Sequence, residues 1–150
     1  MKVYRYIVVL ALLSLFIIPA KAQFNTDRIT AIGRNALYFE DYILSIQYFN
    51  QVIRLKPYLA EPYFYRAIAK IQLEDYQGAL RDCNAAIERN PFSPGCYYAR
   101  GYIYRQLNQW EDAEKDYTEA LHFSPENRTY MLLRADTHAQ MKQYDAALED

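Results

Sequence analysis

The chain has 150 residues, with 17 Lys and Arg against 18 Asp and Glu and a net charge of −1. One compact unit is expected at that length. A near-neutral balance argues against a nucleic-acid partner, whose phosphates need clustered Lys and Arg.

The first predicted element is a targeting segment. Residues 1–22 contain Lys2 and Arg5, the apolar run Ile7–Ile18, Pro19 and then Ala20-Lys21-Ala22. A basic start, a short apolar centre and an A-x-A end are the marks of a secretory signal peptide cleaved after Ala22. The apolar run is shorter than the ~20 residues a membrane span needs, and the alternative is an uncleaved anchor. No Cys follows the run, which argues against a bacterial lipoprotein. The Ala22-Gln23 junction points to export in a Gram-negative bacterium, with the periplasm or secretion as the destination. Cleavage removes Lys2, Arg5 and Lys21 and no acidic residue. Of 17 basic residues, 14 then remain against 18 acidic ones, a net charge of −4.

From residue 26 the chain repeats itself at a spacing of 34. Gly33, Ala67, Gly101 and Ala135 form a column of small residues. Tyr42, Tyr76, Trp110 and Tyr144 form an aromatic column, and Ser45, Ala79, Ala113 and Ala147 a second small one. Phe49, Cys83 and Tyr117 are bulky or apolar, and Pro57, Pro91 and Pro125 close the units. The columns divide the chain into 26–59, 60–93, 94–127 and an incomplete 128–150. Within a unit, "PYFYRAIAKIQL" and "YQGALRDCNAAIER" each carry apolar residues at helical spacing. Small columns let two helices approach closely, and Pro ends the second helix because it cannot continue it. Asn108 followed by Glu111 is expected to form a capping box at the start of a second helix. One helix pair cannot bury both faces, so the units must stack.

At these residues the chain resembles the tetratricopeptide repeat, a 34-residue helix–turn–helix with the pattern W-x2-L-G-x2-Y…A-x3-F…P. The third unit carries it as Tyr97-x2-Arg100-Gly101-x2-Tyr104, Ala113-x3-Tyr117 and Pro125. The first unit has Ala36 where Tyr is usual, and the second has Ala67, Lys70 and Cys83 for Gly, Tyr and Phe. The resemblance spans residues 26–150. It implies an all-α fold, an α-solenoid of helix-turn-helix repeats in a right-handed superhelix, with the first helices lining a concave groove.

Two charged columns need a separate reason. Arg66, Arg100 and Arg134 occupy the place where the family usually has Leu, and Asp82, Asp116 and Asp150 form a second column. The first unit breaks both together, with Ile32 and Tyr48. If each hairpin turns near Glu74–Asp75 and its equivalents, Arg and Asp stand at the same height on antiparallel helices. An ion pair inside each hairpin is therefore expected, with a pair of solvated charges as the alternative.

No catalytic constellation, Gly-rich phosphate loop or metal-ligand spacing appears, so no enzyme activity, cofactor or metal is expected. His122 and His138 read as structural residues, since no second His or nucleophile shares their face. Cys83 reads as a small core residue, and Cys96 begins the next helix. Their heights should differ by several ångströms, so two free thiols are expected. Asn127-Arg128-Thr129 is a glycosylation sequon, meaningful only in a eukaryotic secretory pathway.

The expected function is that of an exported scaffold that binds a protein or peptide segment in its groove. The candidate groove residues are Arg34, Tyr38, Phe64, Ile68, Ile71, Tyr98, Tyr102 and Arg105, continuing to Leu132 and Asp136. Phe64, Tyr98 and Tyr102 are the expected anchors, on a face that stacking does not need. Some grooves of this family grip a terminal carboxylate with a Lys/Asn/Arg clamp. Arg34 and Ile68 would fill its Asn positions here, which argues against a binder of chaperone tails. The alternative reading is the extracytoplasmic arm of a longer enzyme or signalling protein, because the fourth unit stops at Asp150 midway through its second helix and the chain is expected to continue. RNA binding of the pentatricopeptide kind is disfavoured by the 34-residue period and the acidic balance.

Overall fold

Three left-handed backbone positions recur at the repeat spacing: Glu40 (φ 62°), Glu74 (φ 59°) and Asn108 (φ 57°). Each reverses the chain between two helices of one hairpin. The computed structural model describes residues 26–141, and its regular structure there is entirely helical. The helices are α1 (residues 26–38), α2 (Tyr42–Leu55), α3 (Glu61–Gln72), α4 (Tyr76–Arg89), α5 (Pro94–Gln106), α6 (Trp110–Phe123) and α7 (Arg128–Gln140). Each packs on the next from α2 onward, and α3 also meets α5. The result is an all-α solenoid of helix-turn-helix repeats. The expected signal segment, residues 1–22, lies outside the described residues.

Local chemistry places the boundaries. The carboxylate of Asp41 accepts from the Leu44 amide at 3.1 Å, and that of Asp75 from the Gly78 amide at 2.9 Å. These bonds satisfy amides that have no partner within a helix start. The third hairpin differs from the expected capping box. Asn108 sits in the left-handed turn, and Gln109 is the cap residue, with no side-chain cap bond. The three-residue spacing to Glu111 imitates a capping box, but the turn needs a residue that tolerates positive φ, which Asn does better than most. Second helices end before Pro57, Pro91 and Pro125, where a helical backbone is disfavoured.

The core repeats as well. Ala67, Ile71, Ala79, Cys83, Ala99 and Ile103 form one buried cluster across two hairpins. The small column packs against the bulky one within each hairpin. A Cβ on Gly33 would stand 3.0 Å from Phe49 Cζ, and one on Gly101 2.9 Å from Tyr117 Cε1. Ala67 shares its cluster with the smaller Cys83. So the residue without a Cβ occurs opposite the large ring, and Ala opposite the small thiol.

Cys83 and Cys96 are both buried free thiols. Burial pushes the Cys83 thiol up to about 12 and raises Cys96 as well. His122 is exposed at the end of α6, and its ring meets Phe123 edge-on. His138 is buried, with Nε2 3.5 Å from Glu114 Oε1.

Candidate functional site

The charged columns form a network that joins hairpins. Arg66 donates from Nε to Asp82 Oδ2 at 2.8 Å and from Nη2 to Oδ1 at 2.5 Å. Arg100 makes the same two bonds to Asp116, both at 2.7 Å. The third donor of each guanidinium reaches back to the preceding hairpin. Arg66 Nη1 donates to Asn50 Oδ1 at 2.5 Å, and Arg100 Nη1 to Asn84 Oδ1 at 2.7 Å. Each guanidinium also lies beside an aromatic ring, Tyr63 at 5.5 Å and Tyr97 at 5.7 Å. Those tyrosines donate in turn to the carbonyls of Pro57 and Pro91, at 3.1 and 3.0 Å. Lys70 adds a 2.8 Å contact to Asp82.

Asp82 and Asp116 are buried, so their charges need these partners. Burial raises the Asp116 carboxyl and the Arg100 hydrogen bonds pull it back, while those same bonds raise Arg100. Asp150 lies outside the described residues, and with it the Arg134–Asp150 pair. Asn50 and Asn84 escape the sequence reading because a polar residue on a half-open helix face looks merely solvated. Their spacing of 34 is the signal that could have found them.

The first helices carry the groove. Ile68, Ile71 and Gln72 of α3 with Tyr98, Ala99 and Tyr102 of α5 enclose a cleft of about 300 Å³. Ile71 and Ala99 form its buried floor, and Ile68 and Tyr102 are partly buried walls. Charges at the margins are neutralised in pairs. Arg34 Nη1 is 3.5 Å from Glu61 Oε1, and Arg105 Nη2 bonds Asp136 across α5 and α7. Tyr98 stacks on Tyr130 with ring centres 5.2 Å apart. Burial raises the Tyr130 phenol.

The expected strip is therefore split. Ile68, Ile71, Tyr98 and Tyr102 come together in the cleft. Tyr38 lies apart from the cleft at the end of α1, 81% exposed, with its ring edge-on to Phe39. Phe64 corrects the expectation that stacking does not need the aromatics. It packs against both buried clusters, and its ring lies 3.3 Å from where a Cβ on Gly95 would be. Helical spacing within one unit cannot show that the next unit closes over a side chain. Tyr98 and Tyr102 also touch neighbouring helices while lining the cleft.

Two profiles of the tetratricopeptide repeat match, one over residues 30–94 and one over 94–127. The chain belongs to the tetratricopeptide-repeat family. Repeats of this family are protein-interaction modules. No curated protein matches the sequence. Solved tetratricopeptide-repeat structures share the fold. MamA from Desulfovibrio magneticus RS-1 is 19% identical with a TM-score of 0.77, covering 83% of this chain and 70% of its own. The Arabidopsis OM64 TPR domain is 23% identical with a TM-score of 0.75, covering 77% and 95%. The first TPR of RPAP3, bound to the HSP90 peptide SRMEEVD, is 23% identical with a TM-score of 0.69, covering 83% and 94%. Among the described residues of this tetratricopeptide-repeat chain, no group of His, Cys, Asp or Glu could hold a metal ion, and no helix is long and apolar enough to cross a membrane.

Proposed function

We propose that the chain is an exported, non-catalytic scaffold that binds an extended or helical segment of another protein in the groove between α3 and α5. The observation that carries this reading is the cleft itself: apolar walls of Ile68, Tyr98 and Tyr102 over an Ile71 floor, with the flanking charges already paired. A partner that fits would present a large apolar side chain, since aromatics around a dry pocket dominate binding energy. The RPAP3 domain holds an HSP90 peptide. In this chain Arg34 is engaged by Glu61 and Ile68 is apolar, which favours an uncharged insert over an acidic tail.

A photo-crosslinking amino acid placed at Tyr102 tests the groove. It should capture one defined partner segment that the same probe at Thr118, on the exposed face of α6, does not capture. Equal capture from both positions would overturn the groove assignment. Export is tested by sequencing the N-terminus of the native protein. A start at Gln23 is expected, and an intact Met1 in the membrane fraction would make the segment an anchor.

A further inference from the structure

We propose that the hairpin-tip edge of the solenoid is a second binding surface, independent of the groove, and that it takes a partner-protein segment that is both apolar and basic. The internal repeat supplies the control. Tyr38 stands where later units have Gln72, Gln106 and Gln140. Ile43 stands where they have Gln77 and Glu111, and Leu44 where they have Gly78 and Asp112. These backbone positions fold without an apolar side chain. In the first hairpin these three, with Phe39 where later units have Leu73, Leu107 and Met141, put four large apolar residues within seven positions, and the structure leaves them in water. Tyr38 is 81% exposed, Phe39 77% and Ile43 59%, with Leu44 more than a third exposed. The Tyr38 and Phe39 rings meet edge-on at 5.2 Å, against each other and not in the core. A cluster of this kind, absent from the sister tips, marks an interaction surface.

Charge selects the partner's chemistry. The aligned tip stretches 38–47, 72–81 and 106–115 carry Glu40, Asp41, Glu74, Asp75, Glu111, Asp112 and Glu114 against only Arg81 and Lys115. Four of the nearby bases are engaged by carboxylates, Lys70 by Asp82, Arg34 by Glu61, Arg105 by Asp136 and Lys115 by Asp112, while Arg81 is exposed on α4. Helix dipoles do not reverse the sign. The C-termini of α1, α3 and α5 alternate here with the N-termini of α2, α4 and α6, so their partial charges offset. An acidic rim around an apolar patch attracts Lys and Arg and repels anionic lipid headgroups. A second copy fits poorly. The opposite edge mixes Arg54, Lys56, Arg89 and Arg128 with Glu61, Glu88 and Glu126.

The test uses the full chain and a synthetic amphipathic helix of Leu and Lys, read by fluorescence anisotropy at low and high salt. Binding is expected to weaken with salt and to fall at least about tenfold in the Tyr38→Gln/Ile43→Gln variant, which copies the later units. A Leu/Glu helix should not bind, and Tyr102→Ala should bind the Leu/Lys helix unchanged. Undiminished binding by the Gln variant overturns the proposal, as does loss of binding in Tyr102→Ala. If the same Gln substitutions instead abolish self-association in sedimentation or flotation with neutral vesicles, while the Leu/Lys helix never binds, the occupant is a second copy or a bilayer and the proposal fails.

Discussion

Arg100 holds Asp116 with two donors of one guanidinium, both at 2.7 Å, and spends a third on Asn84 of the preceding hairpin. The pair joins two helices of one repeat, and the third bond joins that repeat to its neighbour. One side chain thereby fixes both the hairpin and its stacking register. Burying a charge is tolerable only when its partners come with it.

Removing one partner should therefore cost more than removing both. Arg100→Leu strands a carboxylate that is only 5% exposed, and a loss of about 3 kcal/mol is expected for a pair buried to this degree. Arg100→Leu with Asp116→Leu should lose less, since Ile32 and Tyr48 fill the same two positions in the first hairpin without charge. Urea unfolding of the four forms measures the coupling. A coupling near zero would mean that water screens the pair.

The Arg66→Asn50 and Arg100→Asn84 bonds predict a smaller, directional effect. Asn84→Ala removes an acceptor from a guanidinium that keeps its carboxylate, so about 1 kcal/mol is expected. The loss should fall on the contact between the second and third hairpins. Hydrogen exchange should then quicken in α5 and α6 before α3. Uniform quickening across all helices would place the bond's effect elsewhere.

Much of the fold is legible because a solenoid writes its rules several times. The 34-residue columns show where helices turn and which faces touch, and the joint switch to Ile32 and Tyr48 singles out the Arg and Asp columns. Contacts between units are harder to read. Phe64 looks like a free groove aromatic until α5 closes over it, and Asn84 looks like a solvated residue until Arg100 reaches back to it. Asn108 was misleading for a local reason. Its distance to Glu111 suits a cap, and only its alignment with Glu40 and Glu74 marks it as a turn residue.

The fit between small and bulky columns predicts a reversal of sign. Gly101→Ala puts a Cβ 2.9 Å from the Tyr117 ring and 3.2 Å from Asp116 Cβ. Overpacking of this kind costs about 1–3 kcal/mol, more than the ~1 kcal/mol that Ala returns in helix propensity. In a Tyr117→Cys background, which copies the second hairpin, the same Gly101→Ala change should be neutral or stabilising. Thermal unfolding of the four proteins decides it. A Gly101→Ala penalty that survives in the Cys background would point to the backbone and not the ring.

The buried thiol of Cys83 predicts how stability responds to alkali. Its ordinary value is 9.0, and burial pushes it to about 12 in the folded chain. Between those limits the unfolded chain has released the proton while the native chain still holds it. The native state then binds more protons, so stability falls as pH rises, by about 1.4 kcal/mol per pH unit for this group. The contribution is intact below about pH 9. Cys83→Ala abolishes the titration but leaves a small cavity, so the variant should be less stable at pH 7. The gap between the two proteins should narrow as pH climbs above about 9, because the tyrosines titrate alike in both and cancel in the difference. Urea midpoints at neutral pH and at about pH 10.5 measure it. A gap that stays constant would show that water reaches the thiol, and the packing of the α3–α4 hairpin against α5 would then be looser than the 0% exposure of Cys83 describes.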